Sequence, residues 1–595
     1  MSYRAPIADI AFSLRHVAGL DALAADGLFP DASADTVDAI LEEAGRFATD
    51  KLAPLRRVGD TAGVTFADGK VTTAPGWREA YEAWTEGGWN ALAAPAELGG
   101  QGLPLLLNAA CAEMWNGASL AFGLAPLLTM GAVEALTTHA SETLRKTYLD
   151  KLVKGTWTGT MNLTEPQAGS DLGALRARAE RREDGSYRIT GTKIFITYGE
   201  HDLTDNIVHL VLARLPDAPA GTRGISLFLV PKLLVNEDGS LGERNDVACA
   251  GVERKLGIHG SPTCTMTYGD KGGATGWLIG EEHKGLACMF TMMNNARLQV
   301  GLQGVAAAEG AYQQALSYAR ERRQGKAPGW TGEGMSPIVE HPDVRRMLLE
   351  MRAKTVAARG LCYQVAEALD RARTGADEAA RQAAQHRAAL LTPVAKAFAT
   401  DIANEVASLG VQVHGGAGFI EETGAAQWMR DARITAIYEG TNGIQAIDLA
   451  MRKLSLEDGA VVRRTIGELR QSLATIARTN HLSAAVLRPL ASAVDALEST
   501  TEWMLHAASS RPADALASAT PYLRLFAVAA GGVALAREAE AAARAQAEGA
   551  EDAAHTLRVD TARFFAGQIA AGATGLAASV MEGADALGAG FGAAA

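Results

Sequence analysis

Apolar residues recur at helical spacing through most of the first 155 positions. Thr36–Phe47 is the clearest case, with Ser33 and Asp35 ahead of it as candidate caps. Gly87-Gly88, Pro95 and the stretch from Gly99 to Pro104 predict loops, and Ala109–Thr138 returns to helix. Near residue 157 the period changes. Trp157–Leu163, Tyr187–Thr197, Asn206–Leu212 and Gly224–Val230 are rich in β-branched and aromatic residues, with Gly, Asp and Asn clusters between them. Cys264–Tyr268 and Gly276–Ile279 continue what reads as an antiparallel strand pattern. Helix resumes at about residue 286 with Cys288–Arg323, Pro342–Thr374 and Ala380–Leu409. An Ala-rich helical stretch over 445–595 has expected breaks near Pro489, Pro512 and Pro521. Helices, then strands, then helices again predict an α+β fold and not a doubly wound sheet.

The domain expectation follows this pattern. It comprises a 1–35 N-terminal extension, a 36–156 helical domain, a 157–285 β domain, a 286–450 helical bundle and a 451–595 extra helical domain. No repeat of 20–50 residues is evident.

Composition narrows the classes. With 48% hydrophobic and 21% charged residues, wholesale disorder is excluded. A net charge of −12 is unsuited to nucleic acid, a local basic patch aside. The five cysteines are widely spaced and form no CxxC pair, which argues against a disulfide framework and a structural zinc site and for a reducing, cytoplasmic setting. No metal site is expected. Arg4, Asp9 and Arg15 interrupt the N-terminus, so it does not read as a secretory signal. The charge-free stretch Phe564–Met581 contains three Gly with Gln568, Thr574 and Ser579, and reads as a buried helix; no transmembrane segment is expected.

Local motifs alone carry little chemistry. The Gly-rich run His414–Phe419 follows a helical pattern and not a strand, so it reads as a sharp turn and not a dinucleotide fingerprint. Glu253-Arg254-Lys255 reads as a solvated face.

Five stretches taken together carry a resemblance. They are Met161–Asp171 (MNLTEPQAGSD), Gly191–Thr197 (GTKIFIT), Lys255–Thr263 (KLGIHGSPT), the helix around Arg297 ending in Tyr318–Arg323, and Gln412–Gly418 followed by Met429–Ile434 and Ile437–Thr441. In this order and at these separations they resemble the acyl-CoA dehydrogenase family, over roughly residues 40–450. The resemblance implies an N-terminal helical domain, a middle β-barrel, a C-terminal four-helix bundle and an extra C-terminal helical domain. It also implies FAD bound without a Rossmann motif.

What the resemblance implies can be carried over residue by residue. Met161, Leu163 and Thr164 would wall the flavin, with Thr164 offering a hydroxyl to its edge. Ser170 would help hold cofactor and acyl-CoA. Phe195, Ile196 and Thr197 would pack on the flavin and hydrogen-bond it; many relatives have Trp where Phe195 stands. Glu439 would abstract the α-proton of the thioester while the β-hydrogen leaves as hydride. The Glu439 backbone N–H would hold the thioester oxygen. Gly440 would contact substrate, and Thr441 and Gly443 the flavin. Arg297 would lie on the substrate side with Asn294, which replaces the familiar Asp, one helical turn away. Arg322 would reach a partner subunit's FAD pyrophosphate, and Gln412, Gly415 and Gly416 its adenosine half. The continuation Arg323-Gln324-Gly325 is shorter than usual. His259, where relatives have Arg, is read as structural.

The chain continues about 140 residues past position 455, as in the long bacterial branch of the family, which implies a homodimer with the tail replacing the second dimer of a tetramer. The resemblance implies an electron-transferring flavoprotein as acceptor. The acyl group is left open between 3-methylthiopropionyl and medium- or long-chain fatty acyl. Two alternatives on the same fold are an acyl-CoA oxidase and a DNA-binding member. Residues 456–595 hold 11 Arg, no Lys and 15 acidic residues, a net charge of −4 that opposes phosphate binding.

Overall fold

Strands form where β-branched and aromatic residues cluster. The computed structural model describes residues 3–588. A small hairpin, β1 (Thr65–Ala67) and β2 (Lys70–Thr72), interrupts the N-terminal helices. The main strands are β3 (Thr158–Asn162), β4 (Arg178–Arg181), β5 (Tyr187–Thr197), β6 (Ile207–Arg214) and β7 (Ile225–Pro231). A short pair follows, β8 (Leu233–Val235) and β9 (Leu241–Arg244), then β10 (Val247–Val252), β11 (Thr263–Tyr268) and β12 (Ala274–Ile279).

Helices flank the strands in the expected order. Before them come α1 (Ile7–His16), α2 (Ala34–Phe47), α3 (Trp77–Glu86), α4 (Leu105–Ala118), α5 (Leu120–His139) and α6 (Glu142–Val153). After them come α7 (Gly285–Glu321), α8 (Pro342–Thr374), α9 (Glu378–His414), α10 (Ala425–Ala432) and α11 (Asn442–Asp448). The C-terminal stretch forms α12 (Ala460–Thr479), α13 (Ala484–Ser510), α14 (Pro512–Ala547), α15 (Ala553–Phe564) and α16 (Ala573–Glu582). Ser33 caps α2 as expected, its Oγ accepting the Thr36 N–H at 3.2 Å.

Two units divide the chain. One holds the residues up to Gly45, Leu105–Gly117 and the residues from Val300 on; the other holds Arg46–Pro104 and Ala118–Gln299.

In the second of these the sheet runs β10-β11-β5-β12-β7-β6-β3, and β4 pairs with both β5 and β6. Strands β5, β12, β7, β6 and β4 therefore close a ring, which removes edges that would otherwise template aggregation. β6 and β7 are buried along nearly their whole length, which explains their mostly apolar sequence. Most pairs are antiparallel as expected; β3 and β4 depart, each pairing parallel with β6. Two strands lie between β3 and β6 in sequence, and that length of chain permits a parallel return. β3 packs close to α5. Gly159 N–H donates to Thr129 Oγ1 at 3.1 Å, and a Cβ at Gly159 would meet Ala132 Cβ at 2.5 Å.

This ring buries two histidines. His209 on β6 is fully buried, its Nδ1 2.9 Å from Thr160 Oγ1. His201 Nδ1 accepts the Leu203 N–H at 3.1 Å, which leaves Nε2 as the donor to Thr158 Oγ1 at 2.9 Å. Burial first, then the positive charge of Lys232, pushes each down to about 3. Both stay neutral while folded and protonate near 6.5 once unfolded. Their stabilising effect is complete above pH 6.5 and is lost as the pH falls toward 3. At pH 5 the expected loss is about 2 kcal/mol for each. Denaturant unfolding at pH 7.5 and pH 5 checks this; His209→Gln should lose about half of the acid sensitivity seen between those values.

The unit containing the bundle has a charged interior. Arg359 on α8 is fully buried and donates to Glu113 on α4 at 2.6–3.1 Å and to Glu309 on α7 at 3.0 Å. Tyr363 adds a 2.6 Å hydrogen bond to Glu113. Asp370 accepts the first backbone N–H groups of α4, Leu105 at 2.7 Å and Leu106 at 2.8 Å. Asp9 on α1 lies between Arg352 at 3.0 Å and Arg558 at 2.6 Å, so the C-terminal helices share an ion network with α1 and α8. Arg558 also stacks over Phe12, 4.1 Å from its centroid. Burial and then Asp9 push the nearby Glu538 carboxyl above its ordinary range, which moves it toward the neutral form beside that network.

Two of the three expected helix breaks are absent. Pro512 starts α14, but Pro489 and Pro521 lie inside α13 and α14. Pro489 falls in the second turn, where its ring meets few preceding carbonyls; Pro521 is tolerated because burial of the surrounding helix outweighs the lost hydrogen bond. The Phe564–Met581 stretch also differs from expectation. It is helical throughout, with π and 3-10 turns at Phe565–Gly572 joining α15 to α16, but much of it is exposed, Gly567 included. Among the described residues three helical stretches are long and apolar enough to cross a membrane. Leu120–His139 and Pro512–Ala547 are 78% and 83% buried, Ala553–Asp585 only 33%.

Candidate active site

Glu439 owes its geometry to a turn. After a short helical turn over Arg433–Ala436, Glu439 and Gly440 both adopt left-handed backbone, with φ of +55° and +83°. A left-handed glutamate is uncommon, and such strain persists only where its surroundings hold it. Thr441 then caps α11, its Oγ1 accepting the Ile444 N–H at 3.3 Å. The buried Gln445 donates Nε2 to the carbonyls of Glu439 at 3.2 Å and Gly440 at 3.3 Å. Lys396 Nζ reaches the Gly440 carbonyl at 2.9 Å. Tyr438 donates its hydroxyl to Gln303 on α7. Burial, then Glu439 and Asp431, hold that phenol far above its ordinary range, so it remains a donor. Glu439 itself is half-buried, and Gly443 is exposed.

The ends of α7 and α9 lie side by side in the same unit. Tyr318 stacks on His414 with ring centroids 4.4 Å apart. Arg322 lies one helical turn beyond Tyr318, and Gln412, Gly415 and Gly416 lie within two residues of His414; all four are exposed. Gly415 has φ +60°, which ends α9 abruptly, as the sharp-turn reading expected. Arg322 is held by Gln324 at 3.3 Å. An exposed guanidinium suits a phosphate.

The other unit holds the residues expected to lie beside the flavin. Met161 is buried near the end of β3, and Leu163 and Thr164 follow the strand half-buried. The Thr164 carbonyl accepts the Ile194 N–H at 2.9 Å, which fixes this loop against β5. Phe195 has φ +60° and is 58% exposed, while Ile196 beside it is buried and Thr197 half-buried. An exposed aromatic ring on a strained strand end, with threonine hydroxyls beside it, fits an aromatic cofactor ring. Ser170 is exposed. Arg297 is 5% exposed, its guanidinium 6.0 Å over the Phe290 ring, whereas Asn294 is exposed; their three-residue spacing does not give them the same environment. His259 bridges the Asp60 and Lys255 carbonyls at 3.1 and 2.9 Å, in keeping with a structural role.

Sequence reasoning quoted Glu165 and Lys193 inside motifs but gave them no role. They form a fully buried ion pair at 2.8 Å. Glu165 also accepts the backbone N–H groups of Arg176 and Ala177. Burial works against the carboxylate, and Lys193 with these N–H groups outweighs it and holds Glu165 below its usual range; burial brings Lys193 down to about 8. The pair shapes the 163–177 loop. Lys396 was also missed. Its signal is a lone charge in the apolar run from Leu390 to Ala399.

Known domain families match successive parts of the chain. The N-terminal, middle and C-terminal acyl-CoA dehydrogenase domains match residues 34–156, 160–270 and 283–454, and an "acetyl-CoA dehydrogenase C-terminal like" domain matches 465–589. The 3-methylmercaptopropionyl-CoA dehydrogenase of Ruegeria pomeroyi is 47% identical over 96% of each chain. The chain belongs to the acyl-CoA dehydrogenase family. Among other acyl-CoA dehydrogenases, a butyryl-CoA dehydrogenase of Syntrophomonas wolfei is 37% identical over 80% of this chain and 79% of its own. The structure of Caenorhabditis elegans ACDH-11 in complex with C11-CoA shares the fold, with a TM-score of 0.74, 21% identity, and coverage of 95% of this chain and 91% of that one.

Proposed function

We propose that this acyl-CoA dehydrogenase family member carries out the FAD-dependent α,β-dehydrogenation of an acyl-CoA to the trans-2-enoyl-CoA, with Glu439 as the base. The observation that carries the reading is Glu439 held in left-handed backbone by buried donors on its own carbonyl and the next. Thr164, Phe195 and Thr197 would hold the flavin ring, and Arg322 with Gln412, Gly415 and Gly416 a phosphate-bearing part of the cofactor. FAD, when bound, supplies the acceptor for the β-hydrogen and its electron pair. The Glu439 carboxylate takes the α-proton, and its backbone N–H is the proposed donor to the thioester oxygen, where negative charge develops. Arg297 and Asn294 are the proposed contacts on the substrate side.

The acyl group is proposed to be 3-methylmercaptopropionyl, supported by 47% identity to the Ruegeria enzyme over nearly the full length. A homodimer is proposed on the exposed apolar side chains Phe419, Ile420, Met429 and Ile437 beside the proposed phosphate contacts. All five cysteines are free and buried, which supports the cytoplasm as the compartment. Electron transfer to an electron-transferring flavoprotein completes the proposal.

An anaerobic titration of the flavoprotein with acyl-CoAs of graded length tests it. Saturated acyl-CoAs should bleach the oxidised flavin band, 3-methylmercaptopropionyl-CoA most effectively. A band that no member of the series bleaches, with FAD bound, overturns the proposed reaction.

A further inference from the structure

The base sits on a strained turn, and its support comes from outside that turn. Lys396 is fully buried in the middle of α9, among apolar neighbours. Placing an ammonium there is unfavourable unless the site needs a donor. Its Nζ donates to the Gly440 carbonyl and to Asn442 Oδ1, each at 2.9 Å. Asn442 is fixed in turn, donating Nδ2 to Asp401 Oδ1 at 2.7 Å and to Thr400 Oγ1 at 2.9 Å. Gln445, fully buried, approaches from α11 and donates to the carbonyls of both Glu439 and Gly440. The two left-handed residues thus have both carbonyls tied to buried side chains, one from α9 and one from α11.

We infer that Lys396 and Gln445 are a pair of positioning residues that lock the Glu439-Gly440 backbone and so aim the Glu439 carboxylate. This rests on the reading of Glu439 as the base. Neither side chain needs to touch substrate. Releasing the carbonyls lets the turn relax toward commoner backbone angles, which moves the carboxylate, and a displacement of about 1 Å in a reacting group costs on the order of 100-fold in rate. The effect falls on the reaction step and not on acyl-CoA binding.

Single-turnover flavin reduction of the FAD-loaded enzyme, followed anaerobically against the concentration of the best acyl-CoA, separates the two. Lys396→Met should lower the limiting rate by about 100-fold, with the half-saturating acyl-CoA concentration changed less than about threefold. Lys396→Arg, which keeps a cationic N–H donor long enough to reach the Gly440 carbonyl, should recover at least about tenfold of that loss. Gln445→Met should lower the limiting rate by about tenfold, and supplies an independent arm if Lys396→Met does not accumulate as flavoprotein. A merely structural role would reduce thermal stability or FAD content and leave the rate of the flavin-loaded fraction unchanged. A wild-type limiting rate in either Met variant overturns the inference. Glu439→Gln runs alongside. If it is inert and the Met variants are unimpaired, only the positioning role fails. If it reduces flavin normally, the base assignment fails and the positioning role with it.

Discussion

Glu439→Gln should bind FAD and acyl-CoA and leave the flavin oxidised. The substitution keeps size, shape and hydrogen-bonding reach but cannot accept the α-proton at neutral pH. The backbone is held through carbonyl oxygens, which the side-chain change does not touch. The loss expected for a general base is about 10²–10⁴-fold, in the rate of flavin reduction and not in cofactor content. Anaerobic stopped-flow mixing with a saturating acyl-CoA measures it. Reduction at the wild-type rate would mean that another carboxylate takes the proton.

The largest effect on stability should come from Arg359→Met. Arg359 is wholly buried and holds two carboxylates, Glu113 and Glu309, which are themselves buried. Removing the guanidinium leaves both facing an apolar side chain, with Tyr363 still donating to Glu113 and Gln313 to Glu309. Breaking a buried pair in this way costs about 3–5 kcal/mol. Denaturant unfolding at pH 7 measures it. The pH dependence identifies the cause. Orphaned carboxylates have folded pKa values above their unfolded ones, so the penalty is present at neutral pH and is relieved as the pH falls and they protonate. A loss that stays constant from pH 7 to pH 5 would point to packing and not charge.

Much of this fold can be read from local sequence, for particular reasons. β5 and α8 begin and end where periodicity places them, because Tyr187–Thr197 is bounded by turn residues and Pro342 marks a helix start. β4 escapes because Arg178–Arg181 is three-quarters charged and owes its strand form to two neighbours. β10 escapes because small residues such as Ala248 and Gly251 carry no β signal. The parallel pairing of β3 with β6 depends on residues about 50 positions apart, and no local period encodes it. The candidate site divides in the same way. Its motifs give Glu439, Thr164 and Phe195, but no local rule says that a glutamate before glycine takes left-handed backbone. Lys396 contacts that turn from 44 residues away, and its only trace in the sequence is a charge where the pattern calls for an apolar side chain.

The link between Asp9 and Arg558 spans 549 positions. A ribosome adding about 5–20 residues per second exposes the second partner roughly half a minute to two minutes after the first. During that time α1 lacks one of the two arginines that hold Asp9 and the guanidinium that stacks on Phe12. Biogenesis of this chain therefore ends with a late docking step, in which the earliest-made helix joins the last. A nascent chain stalled before α15 is expected to leave its N-terminus open to proteases and chaperones, although the strand ring is already complete.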